Sequence, residues 1–141
     1  MLLYVHFIVA FLVSTILVLL KWQWWQISLF FVAAFFIDVD HYFYFVYKKK
    51  SFNLMKAYNY FYNLNKFLKK ERKKVELLMI FHTIEVFILT FILSIVFFNI
   101  FFPLFLGLTI HYFLDFLALL THKEKRYKRV FSLIYYIIKN V

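Results

Sequence analysis

The chain has 141 residues, 65% of them hydrophobic, a mean hydropathy of +0.78 and a net charge of +10. Soluble domains are about 45–50% apolar, and one Gly and one Pro leave too few turn signals for a sheet protein. Composition therefore excludes an ordinary soluble domain and an all-β fold, and the lack of cysteine excludes disulfides, thiolate ligands and a Cys nucleophile.

What remains is an all-α integral membrane protein, read as a single transmembrane domain over 1–141 in which four segments approach the ~20 apolar residues of a span. The first covers about 2–20; it has no charged leader and no small-residue cleavage site, and is expected to be a retained helix rather than a signal peptide. The second covers about 24–47 and carries FFIDVDHYFYF, with Asp38, Asp40 and His41 inside an aromatic run. A basic connection follows over 48–76. In it Leu54, Tyr58, Phe61 and Leu68 recur at helical spacing, which predicts an interfacial helix lying on anionic lipid. The third span is expected over about 77–98, with His82 and Glu85 near its start. The fourth is expected over about 102–120, with His111 and Asp115. A tail follows, in which 127–139 suggests a short amphipathic helix and His122 reads as a surface residue.

All seventeen Lys and Arg residues except Lys21 fall in the 48–76 connection or after residue 120. The positive-inside rule then places that connection and both termini in the cytoplasm. Topology accounts for the basic charge, so no nucleic-acid partner is expected. The four-helix bundle that results is antiparallel. His6, Asp38, Asp40, His41, His82, Glu85, His111 and Asp115 then all lie roughly 6–14 Å inside the cytoplasmic boundary, at about 1.5 Å per helical residue.

Spacing sharpens this picture. Asp38 and His41 are i, i+3, as are His82 and Glu85; His111 and Asp115 are i, i+4, so each pair projects from one helix face. Asp40 points elsewhere on a regular helix, and is either an outer partner of the ligands or set by a local distortion. An unpaired carboxylate at this depth costs roughly 2.5–3.5 kcal/mol, and no Lys or Arg shares it. Either the acids share protons with the histidines, or one or two divalent ions neutralise them. Imidazole and carboxylate together suit zinc, with manganese or iron as alternatives. All eight residues are candidate metal ligands, with Glu85 and Asp40 also candidates for general base.

VHFIVA with His6, IDVDH with Asp38, Asp40 and His41, FHTIE with His82, and IHYFLD with His111 and Asp115 stand in the order of a known family. The chain resembles the membrane-bound metal-dependent hydrolases of the YdjM-like type. Where those proteins usually carry H-R-G-x-T-H-S, this chain has only His82, with Glu85 after it. The resemblance implies a prokaryotic inner-membrane protein and a hydrolase. The shared depth of the candidate site suits a phosphate-ester or phospholipid-like substrate met at the cytoplasmic leaflet. The rival readings are a metal or proton transporter, and a structural protein whose helices are stapled by a metal or polar cluster. The apolar outer half of every span opposes an ion path. A di-iron oxygenase would need HxxxH and HxxHH patterns, and no serine has a base nearby in a motif.

Overall fold

The computed structural model describes residues 3–70, 75–121 and 127–140. Among the described residues seven α-helices run in chain order: α1 Leu3–Leu19, α2 Trp24–Phe35, α3 Val39–Lys49, α4 Leu54–Lys70, α5 Ile84–Val96, α6 Phe98–Thr121 and α7 Leu133–Asn140. Short 3-10 turns occupy Phe36–Asp38 and Ile80–His82, and two four-residue strands, β1 Val75–Leu78 and β2 Tyr127–Val130, pair in parallel. His122 lies outside the described residues. Contacts divide the chain into two compact units: Met1–Ile37 with Glu85–Thr121, and Asp38–Ile84 with His122–Val141.

Among the described residues two helical runs are long and apolar enough to cross a membrane, Trp24–Lys49 with 26 residues and Phe98–Ala118 with 21. The apolar stretches of α1 and α5 are shorter: Tyr4–Leu19 and Ile84–Val96.

In the first unit α2 lies against α6 and α1, around a core of Ala10, Leu17, Phe30 and Ala34. Gly107 permits a close approach of α6 to α2. A Cβ there would sit 2.5 Å from the Phe30 carbonyl oxygen and 2.8 Å from the Ala33 Cβ. The only glycine in the chain thus occupies a helix crossing where backbone meets backbone. Pro103 lies inside α6 and has no N–H to give the carbonyl four residues earlier. That carbonyl, of Asn99, accepts a hydrogen bond from Gln26 Nε2 at 3.4 Å.

In the second unit Leu64, Leu77 and Met79 form the core, with Tyr44, Tyr60 and Phe61 packed on it. Here the third span departs from expectation. Its first residues are not helical but extended: Leu77 and Met79 are buried while Leu78 is half-buried and Ile80 exposed, the period-two pattern of a strand. β1 takes this form because β2, about fifty residues later, supplies its hydrogen-bond partner, with Leu77 opposite Arg129 and Leu78 opposite Val130. The helix begins only at Ile84, whose N–H is given to the Phe131 carbonyl at 2.8 Å. For the same reason the tail opens as a strand, and its amphipathic helix is confined to Leu133–Asn140. The fourth helix starts earlier than expected, at Phe98.

The helix expected in the basic connection forms as α4, but its apolar stripe divides. Ala57 and Leu64 are buried, and Phe61 packs inward. Leu54, Met55, Tyr58 and Tyr62 face outward.

Candidate metal centre

Six of the eight candidate ligands fall into two groups of three, one in each unit. In each group the ligand atoms lie within 4.8 Å of one another.

The first group is His6, from the start of α1, with His111 and Asp115 from α6. His111 and Asp115 share a helix face, as their i, i+4 spacing requires. His6 and His111 are fully buried and Asp115 is 7% exposed. The two rings stack with centroids 4.1 Å apart. His111 Nδ1 lies 3.0 Å from the Ala34 carbonyl oxygen. A carbonyl only accepts, so Nδ1 carries the proton and the neutral ring's lone pair is on Nε2, the arrangement typical of a ligating histidine. His6 Nε2 is 3.6 Å from Asp115 Oδ1. That exceeds the ordinary N–H···O range of about 2.7–3.2 Å. It is close to the ~3.3 Å that separates two ligands each about 2.0–2.1 Å from a tetrahedral ion.

The second group is Asp38, His41 and His82. Asp38 ends the 3-10 turn and occupies the N-cap position of α3, yet makes no cap hydrogen bond. Its Oδ1 lies instead 3.4 Å from His41 Nδ1 and 3.4 Å from His82 Nε2. The turn resets the helical phase, so Asp38 and Asp40, which a regular helix would point apart, both reach the two histidines. Asp40 Oδ1 accepts from His41 Nδ1 at 3.0 Å, and Oδ2 from His82 Nδ1 at 3.0 Å. His82 is held by a 3-10 turn, in which its N–H bonds to the Met79 carbonyl and the Thr83 hydroxyl to that of Ile80. The edge of Phe61 meets His41 with centroids 5.2 Å apart. His82 is buried, while Asp38 and His41 are only partly so.

Both groups fit a divalent ion in donor chemistry: imidazole nitrogen and carboxylate oxygen, three ligands each, and a coordination position to spare. Charge fits best in the second. Asp38 and Asp40 together carry −2, which one divalent ion neutralises with both rings uncharged.

The His82–Glu85 pair is a correction. Thr83 between them is extended, at φ −91° and ψ 151°, so the two do not share a helix face. Glu85 falls in the first turn of α5, where a carboxylate complements the helix dipole, and it belongs to neither three-residue group. Two contributors were not anticipated from the residues: the Ala34 carbonyl, and the tail that braces the His82 turn through β2 and Phe131. The first had a signal, because Gly107 precedes His111 by one turn and FFVAAFF offers small residues for a close crossing. The second had none stronger than the ambiguity of a short apolar run.

Comparison of the chain with protein-family models, with curated proteins and with solved structures finds no match.

Proposed function

We propose that this protein is a membrane-embedded, metal-dependent hydrolase that acts on a phosphate ester or phospholipid-like substrate at the cytoplasmic leaflet, the chemistry implied by its YdjM-like motifs. The observation that carries the reading is the Asp38–His41–His82 group, which brings three candidate ligands together with Asp38 and His41 only partly buried.

The membrane setting rests on exposure. Only 33% and 28% of the apolar windows in Trp24–Lys49 and Phe98–Ala118 are buried, far from the mostly buried core helix of a soluble protein. α1 and α5 show the same outward apolar faces, with Phe11, Leu12 and Ile16 on one and Ile88, Ile92 and Ile95 on the other. They complete a four-span bundle. At about 1.5 Å per residue α5 is only ~20 Å long, so its flanking residues and local bilayer thinning make up the difference. Ile134, Tyr135, Ile137 and Ile138 of α7 and the outward residues of α4 rest on the cytoplasmic surface, where the basic segments draw anionic lipid. Both termini are cytoplasmic, in a prokaryotic inner membrane.

A divalent ion, when bound, supplies Lewis acidity and a water of lowered pKa. Asp38 and the two imidazoles would hold it, and the Asp40 carboxylate would complete the neutralisation of its charge. Glu85 is assigned no role. The buried His6–His111–Asp115 group favours a second role within the same protein, that of a staple between α1 and α6, since no ligand of that group is open to a substrate.

The test is hydrolysis of labelled phospholipids by purified protein before and after metal removal, alongside elemental analysis. Metal-dependent release of product, abolished in Asp38→Asn, is expected. Hydrolysis that continues at full rate once all tightly bound metal is gone refutes the mechanism. Metal flux into proteoliposomes without hydrolysis would establish a transporter instead.

A further inference from the structure

We propose that Asp40 is a positioning residue that fixes the tautomer of both His41 and His82 and aims Nε2 of His82 at an ion shared with Asp38. The inference builds on the metal reading above. Its first step, the setting of two tautomers by one carboxylate, holds with or without metal.

Distances separate the contacts into two kinds. The Asp40 contacts, both 3.0 Å, are hydrogen bonds. The Asp38 Oδ1 to His82 Nε2 separation, 3.4 Å, is longer and matches an edge between two ligands, whereas the same oxygen meets His41 on its Nδ1 side, also at 3.4 Å. An ionised carboxylate only accepts, so each ring must donate Nδ1–H to Asp40 and hold its lone pair on Nε2. The rings meet the carboxylate from different parts of the chain and stand nearly perpendicular, at 82° with centroids 5.4 Å apart. His41 is the next residue along α3, and neighbours in a helix do not ordinarily face each other. The contact joins the second and third residues of α3, in its first turn. His82 arrives from the turn after β1, forty-two residues away. With both oxygens engaged and 7% exposure, Asp40 is poorly suited to act as a general base toward a substrate water. Its role is to hold the ligands.

Asp40→Asn separates the roles. The amide can accept from one ring but must offer N–H to the other, which forces that ring into the Nε2–H form. In full-length metal-free protein in detergent, ¹⁵N-histidine spectra, assigned with His41→Gln and His82→Gln, are expected to show both rings as Nδ1–H in the wild type. One of them switches in Asp40→Asn. A competitive zinc titration then reads a 10–100-fold loss of affinity at this group with its equivalent of metal retained, whereas Asp38→Asn loses the equivalent. If Asp40→Asn does not fold, Asp40→Glu, which keeps two accepting oxygens, must show both rings as Nδ1–H. Unchanged tautomers in Asp40→Asn, an Nε2–H ring in Asp40→Glu, or loss of the whole metal equivalent in Asp40→Asn overturns the proposal. A wild-type protein that binds no metal at this group but shows the tautomer switch overturns the hydrolase reading and leaves the positioning role standing.

Discussion

Replacing Gly107 with alanine puts a methyl group 2.5 Å from the Phe30 carbonyl oxygen, 2.8 Å from the Ala33 Cβ and 2.9 Å from the Ala34 nitrogen. Ordinary contact begins at 3.4 Å, so α6 must recede from α2 by 3.4 − 2.5, about 0.9 Å. The nearest obstacles are backbone atoms, which have no rotamer to escape into. One turn along α6, the His111 Nδ1 to Ala34 carbonyl distance would lengthen from 3.0 Å to as much as ~3.9 Å, beyond hydrogen-bond range. Overpacking costs about 1–3 kcal/mol, and a buried donor left without its acceptor about 1–3 kcal/mol more. The better helix propensity of alanine returns about 1 kcal/mol. The net expectation is a loss of about 1–5 kcal/mol, with the His6–His111–Asp115 group loosened. Thermal unfolding in detergent, followed by tryptophan fluorescence, reads the first, and the rate at which chelator extracts buried metal reads the second. Adding Ala33→Gly should rescue only part of the loss, because the tightest contact is with a backbone oxygen. A Gly107→Ala protein that melts and retains metal like the wild type refutes the claim that this crossing sets the site.

Other expectations follow from the same geometry. Chelation should be biphasic: the partly exposed Asp38–His41–His82 group releases metal quickly and the buried group slowly, and His6→Gln should remove the slow phase alone. Met79→Ala, at a fully buried position against Leu64 and Leu77, should cost about 2–5 kcal/mol. It should also weaken zinc binding at the His82 group, readable by competitive titration, since Met79 opens the turn that carries His82. The chain has no cysteine, so single-cysteine variants report topology directly. Lys21→Cys in intact cells should react with an impermeant maleimide and Lys48→Cys only after permeabilisation; equal labelling of both in intact cells would contradict the proposed orientation.

How much of this was legible in the residues depends on how local each feature is. The His111–Asp115 face and the closeness of Asp38 to His41 are set by spacing along one segment, so periodicity was enough to find them. The segregation of basic residues is likewise a property of the chain as written. Three things were decided only by tertiary structure. The Val75–Leu78 run, expected to close the basic connection and open a helical span, became a strand because β2 was there to pair with it. Asp40 reaches the His82 imidazole only because a distant turn brings His82 alongside. His111 is oriented by the Ala34 carbonyl only because Gly107 lets two backbones approach. A side chain's type and phase are written into its own segment, whereas the atom it meets is fixed by which other segment arrives there and how closely.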